Sequence, residues 1–302
     1  MALATRQQLP SVTAARDVTG RRVWAGIWKF IRTKPLGALG AVVVLLMVLL
    51  AIFADLLAPY DVYDINQRLQ FHAPSMAHWF GTDEFGRDVL SRIIYGARIA
   101  LFIGFASSFL GATIGAVLGV VSAYLGGKTD LWLQRLMDVM LAFPLLVLAL
   151  AIVTVLGRSV PNLIVAIAIP SIPRIARVVR ASALAAKEHV YVEAARAVGS
   201  SHGRVMWRHI VPNIMAPYLI VLTAQLGSSI LTEASLSFLG LGTAEPTPSW
   251  GLMLSGGAPM FAERAPWLAI FPGVAISLAV FGFNLFGDSL RDALDPRLRH
   301  RT

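Results

Sequence analysis

The sequence contains no cysteine, which rules out disulfides, thiolate nucleophiles and cysteine-ligated zinc, and leaves no redox signature of compartment. Charge is scarce too: 14% of the 302 residues are charged, against 56% hydrophobic. A soluble domain carries about 25% charged and roughly 45–50% apolar residues. The shortage therefore argues against an ordinary soluble fold and for a polytopic membrane protein. The six histidines (His72, His78, His189, His202, His209, His300) show no metal-ligand spacing within one element. No apolar run brings a nucleophile and a base together, so no catalytic, metal-binding or cofactor-binding residue is expected. A cleavable signal peptide is not expected either. The first apolar run starts near Leu36, after a basic leader, and is too long for an h-region.

What is present is a series of apolar runs near the roughly 20 residues a bilayer requires. Six spans are expected, at about Leu36–Ala58, Ile99–Tyr124, Leu136–Leu156, Asn162–Val179, Ile214–Ser235 and Trp267–Phe286. The fold class is thus all-α, six transmembrane helices with membrane lipid around them. The net charge of +9 would suggest nucleic acid in a soluble protein. Here the basic residues flank apolar spans, and no aromatic-interleaved basic patch lies outside them, so no nucleic-acid partner is expected. With the N-terminus inside, 20 of the 26 lysines and arginines fall in inner segments. The rest are Arg68, Arg87, Arg92, Arg98, Arg158 and Arg264. That asymmetry predicts both termini on the cytoplasmic side.

The chain divides into a tail (1–35), a first span with its external loop (36–98), a five-helix core (99–288) and a second tail (289–302). In the first tail Trp24, Ile27, Trp28 and Ile31 fall at helical spacing and suggest an interfacial helix. In the external loop, Leu90, Ile93, Ile94 and Ala97 predict an amphipathic helix lying at the outer surface before the second span. It is either a re-entry helix or a surface that meets an external partner. Gly111, Gly115 and Gly119 line one stripe of the second span, where two helices can approach closely, within this chain or at a seam with another. LGGKTD, ending at Asp130, resembles the end of a phosphate-cradling loop, but Ser122 stands where its first glycine belongs and no strand precedes it. ATP, if used, is bound elsewhere.

Ionisable residues at membrane depth are costly and therefore suspect. Asp138 has Arg135 three residues before it, and Asp288 has Arg291 three residues after it, so both suit local pairing. Glu233 has no basic neighbour in sequence and is the candidate for a translocation path. Trp250, in a Pro/Gly-rich external loop, suits the outer membrane interface.

The longest polar interruption runs from Arg174 to Pro212 and carries seven basic residues against Glu188 and Glu193. Ala181 to Val198 holds neither Gly nor Pro and predicts one helix, which Gly199 stops. Ser200 or Ser201 can cap a second short helix, and Pro212 opens the next span. Pro170 and Pro173 are placed to bend the preceding helix and aim this segment. A basic helix–Gly–helix of this kind is a docking surface.

Glu193-Ala194-Ala195, Gly199 four residues later, then Ser200 and Pro212, resembles the EAA loop of ABC-importer permeases, here within 180–212. GTDEFGRDVLSR with YGAR, EASLSFLGLG with PSWG, and the terminal GDSLRDALDPRLR are similar to the dipeptide/oligopeptide/nickel subfamily, in particular its second permease subunit. The resemblance implies a bacterial inner-membrane permease of the type I importer fold, not an enzyme, that carries short peptides or a related solute such as a nickel chelate. It implies four partners: a homologous permease subunit in a heterodimer, two cytoplasmic ATPases and an extracytoplasmic solute-binding protein. By position, Glu193 and its helix would meet an ATPase, Gly199 would allow the sharp turn and Pro212 would start the fifth span. Two competing classes are an ion-driven secondary transporter, which would need midplane charge pairs and repeated spans, and a non-conducting assembly protein.

Overall fold

The computed structural model describes residue 28, residues 31–256, residue 261 and residues 263–294. The interfacial helix expected from Trp24 and Ile27, and the end of the second tail, lie outside them. The described elements are helical: α1 (Pro35–Ile52), α2 (Ala54–Leu57), α3 (Val89–Leu125), α4 (Gly127–Leu141), α5 (Leu145–Leu156), α6 (Val160–Lys187), α7 (Val190–Ala197), α8 (His202–Val205), a π turn (Met206–Ile210), α9 (Val211–Phe238), α10 (Trp250–Ser255) and α11 (Trp267–Leu294), with one 3-10 turn at Gln67–Leu69. Among the described residues five helical stretches are long and apolar enough to span a bilayer, six if α4 and α5, bent by 90° at their break, count as one span.

The boundaries differ from the sequence expectation in four places. The surface helix predicted around Leu90–Ala97 is not separate. Asp88 caps α3 through Ser91 N–H at 2.8 Å, and the helix then runs unbroken for 37 residues. At 1.5 Å per residue that is about 55 Å, well beyond the roughly 30 Å hydrocarbon core, so its first turns belong to the polar end. The third span is broken, because Pro144 disfavours helix at Phe143 and α5 restarts after it. α6 passes through Pro170 and Pro173 as one 28-residue helix, with Ser171 Oγ donating to the carbonyl of Ala168 at 2.7 Å beside them. The single helix expected over Ala181–Val198 is two, α6 and α7, meeting at a corner where Glu188 N–H and His189 N–H donate back to Ala185 and Ala186. The following Val190-Tyr191-Val192 run has weaker helix propensity than the alanines before it.

The glycine stripe acts within the chain. A Cβ on Gly111, Gly115 or Gly119 would lie 2.9 Å or less from backbone or side-chain atoms of α6, at Ser171, Ile172 and Ala176. This seam makes α3 and α6 the central pair, with α9 packed on both and α11 bridging α9 and α1. Large apolar side chains on the outer faces, among them Leu45, Phe102, Phe109 and Phe281, remain exposed, as a lipid-facing surface requires.

Three local pairings also differ. Asp138 pairs with Arg177 on α6 rather than with Arg135, because α4 lies against α6 and places the two face to face. Asp288 makes no ion pair with Arg291; Asp292 pairs with Lys34 at 3.0 Å, tying the end of α11 to the start of α1. Trp250 is not an interfacial residue: it is 2% exposed, and its Nε1 donates to the carbonyl of Ile93 at 2.9 Å.

Candidate functional site

The site is built around α7, at the end of the bundle where α3 stops and α9 starts. One face of α7 is anchored. Val192 is 0% exposed and Ala195 is buried, in a cluster with Tyr124, Ala183, Val205 and Ile210. The opposite face is open: Val190 and Val198 are 78% and 82% exposed, with Glu193 and Ala194 between them. An apolar, acid-bearing helix face on a rigid base is suited to a groove in another protein.

The turn after α7 follows from one glycine. Gly199 has φ +78°, a left-handed conformation open to glycine at little cost. Gly199 N–H donates to Arg196 at 2.9 Å and Ser200 N–H to Ala195 at 3.0 Å, the paired bonds of a Schellman C-terminus. Of the two candidate caps, Ser201 accepts from Arg204 N–H and starts α8. Ser200 serves instead in the bond that closes α7. Pro212 lies in the first turn of α9 but does not begin a new helix, since His202 to Phe238 is one helical stretch through the π turn. There Val211 N–H reaches back to Met206, and Asn213 Nδ2 donates to the carbonyl of His209 at 2.7 Å.

Tyr124, at the end of α3, gathers the site from several elements. Its hydroxyl lies 2.9 Å from His202 Nδ1 on α8, and the Arg196 guanidinium from α7 sits 5.0 Å from its ring centroid. Lys187 donates to the carbonyls of Ala123 and Tyr124, where a cation also meets the negative end of the helix dipole. The sequence marked Arg196 and Lys187 only as charge and His202 only as a histidine without metal-ligand spacing. The available signal was a basic residue closing a helix, but its partner lies 63 residues away. At the LGGKTD turn Ser122 Oγ donates to Asp130, whose carboxylate Arg180 grips through Nε at 2.7 Å and through NH2.

At the opposite end, residues 59–88 are pinned rather than free. Arg87 bonds Asp83 at 2.6 Å and Glu245 at 2.9 Å, joining this segment to the one before α10. Burial pulls the Arg87 pKa down, but Asp83 and Glu245 outweigh it and hold the guanidinium above its ordinary value. Asp88 also meets His78 Nδ1 at 2.9 Å. Glu233 sits nearby on α9, 1% exposed, accepting from Ser237 Oγ at 2.7 Å and Ser249 Oγ at 3.0 Å. It faces the chain's own packing, not an open groove.

Residues 90–300 match the family of binding-protein-dependent transport system inner membrane components, and residues 23–74 match the N-terminal transmembrane domain of oligopeptide transport permease C. The chain belongs to the first of these families. It is 42% identical to the dipeptide transport system permease protein DppC of Alkalihalophilus pseudofirmus, over 91% of this chain and 90% of that one. It is 44% identical to the glutathione transport system permease protein GsiD of Escherichia coli, over 92% of each. Against the protein of that name from Pectobacterium atrosepticum it is 41% identical over 97% of this chain and 98% of the other. The crystal structure of an amino acid ABC transporter with histidines aligns with 70% of this chain and 94% of that one, at 22% identity and TM-score 0.45. The family assignment rests on the sequence matches.

Membership in the binding-protein-dependent family makes this chain a multi-pass permease subunit of an ABC importer and not an enzyme. Such a permease works with a second permease, ATPase subunits that hydrolyse ATP, and a substrate-binding protein. The secondary-transporter and assembly-protein readings fall away with that assignment.

Proposed function

We propose that this chain forms half of the import path for short peptides or glutathione-like solutes, in a heterodimer with a homologous permease, served by two ATPases and an extracytoplasmic binding protein. The excess of lysine and arginine on one side supports cytoplasmic termini and a cytoplasmic α7, which is where ATP-hydrolysing partners would lie. The substrate class comes from the named relatives, a dipeptide and a glutathione permease; a nickel chelate is the alternative solute that the resemblance allows. The chain itself needs no cofactor on this reading.

The observation that carries the coupling role is the anchored-and-open geometry of α7. Glu193 and Ala194 face outwards, Ala195 is keyed into the core, and the Gly199–Ser200 turn fixes the direction in which the chain leaves. A docked helix of this kind moves as a lever. ATP-driven closure of the ATPases shifts the permease between two packings only if the contacts at α7 differ between the two states. Reconstitution with the copurifying ATPases and binding protein tests the assignment. ATP-dependent uptake of dialanine or glutathione is expected, and uptake of neither, with uptake of a nickel chelate, would reassign the substrate.

A further inference from the structure

A trough of about 520 Å³ runs along α9, floored by Pro217, Ala224, Gln225 and Ser228, with Arg174 of α6 on one wall and Arg291 of α11 on the other. It differs in kind from the grooves beside α1 (Val44, Leu101, Phe105) and beside the π turn (Val117, Met215), which are almost wholly apolar. Its two guanidiniums are also unlike their neighbours. Arg177 and Arg180 on the same helix hold Asp138 and Asp130, and Lys34 holds Asp292. Arg174 and Arg291 make no ion pair among the described residues. Two guanidiniums lining one trough raise the local concentration of anions there, and their planar forks suit a carboxylate.

We propose that this trough is a station on the solute's route, where Arg174 and Arg291 receive the free carboxylate of the passing solute. It rests on the reading that the chain forms half of an import path. It moves the charged lining of that path away from Glu233, which is enclosed, to Arg174 and Arg291, which are exposed beside α9.

The absence of cysteine allows a direct test. Ala224→Cys, in the assembled transporter with cysteine-free partners, is exposed to a sulfonate-bearing and a trimethylammonium-bearing methanethiosulfonate reagent in phosphatidylglycerol vesicles. The anionic reagent is expected to react faster relative to the cationic one. Arg174→Gln with Arg291→Gln should lower that rate ratio by about tenfold, and the corresponding lysine pair should restore it. The Gln pair should also depress dialanine uptake while leaving copurification of the ATPases intact. A thiol unreactive to both reagents, or a ratio indifferent to the arginines, overturns the proposal. So do wild-type and Gln-pair ratios that coincide in phosphatidylglycerol and separate only in phosphatidylcholine, since lipid headgroups then hold the arginines. If the wild type transports neither dialanine nor glutathione, the substrate reading fails while the reagent ratio still decides the trough.

Discussion

Lys187, the last residue of α6, donates its ammonium to the carbonyl oxygens of Ala123 and Tyr124 at 3.2 and 3.1 Å, and so closes the end of α3. The Arg196 guanidinium from α7 lies over the same tyrosine ring. One cation therefore fixes the corner from which α7 projects, and the other ties α7 itself to the bundle. Lys187→Met removes the charged donor and leaves two helix-end carbonyls without it. The expected loss is about 1 kcal/mol of stability, the half-exposed site moderating a larger buried cost. Stimulation of ATP hydrolysis by the binding protein should fall further than thermal stability does. Equal, small effects on both would reduce Lys187 to a simple helix cap.

Gly199 offers a cleaner separation of backbone from contact. No atom would lie within 4 Å of a Cβ placed there, so a substitution meets only the strain of φ +78°. For an ordinary residue that strain is roughly 1–2 kcal/mol, and a β-branched one sits at the upper end. Gly199→Val should insert and assemble but lose coupled ATP hydrolysis and uptake, whereas Gly199→Asn, which tolerates left-handed backbone, should keep most of both. Full coupling in the valine variant, measured in proteoliposomes, would break the link between this turn and the ATPases.

How much of this was legible beforehand depends on the range of each interaction. The Gly199 stop and the start of α8 at Ser201 were readable because helix ends are decided by a few consecutive residues. The Gly111–Gly115–Gly119 stripe was readable as a close-packing face, but not its partner, which is on α6 more than 50 positions away in sequence. Asp138 was matched to the nearest arginine in sequence, Arg135, while the fold offers Arg177 from a neighbouring helix. Trp250 looked interfacial by residue type alone. In the structure its indole fills the space left by Gly96 and its N–H finds the carbonyl of Ile93. Hydropathy likewise could not show the 90° break at Pro144, since the residues on both sides are apolar.

Glu233 is the case in which the sequence signal and the geometry part. A carboxylate with no basic neighbour suggested a path, but its Oε1 accepts from Ser237 and Ser249 and so ties α9 to the start of α10. Glu233→Gln retains a carbonyl oxygen for both hydroxyls and should leave uptake near the wild-type rate. Glu233→Leu leaves both serines without that acceptor and should cost about 1–3 kcal/mol, read as a lower unfolding temperature of the purified complex. A marked change in uptake by the glutamine variant, with stability intact, would return Glu233 to the solute's route.

The last prediction concerns pH at the opposite end of the molecule, where Glu84 lies half-buried beside Gly256. Burial raises its pKa above the ordinary 4.5, outweighing a backbone hydrogen bond that acts the other way. The folded state thus holds the Glu84 proton to higher pH than the unfolded state does. Between the unfolded and folded pKa values the native chain binds more protons, so stability falls as pH rises through that window. The penalty is absent well below pH 4.5 and complete once pH exceeds the folded value. Glu84→Gln, which carries no charge to desolvate, should therefore match the wild type in acid and gain on it as pH increases towards neutrality. Unfolding temperatures of the two complexes across that range measure the difference directly. A gap that stays constant with pH would mean that Glu84 ionises as freely in the folded chain as in water.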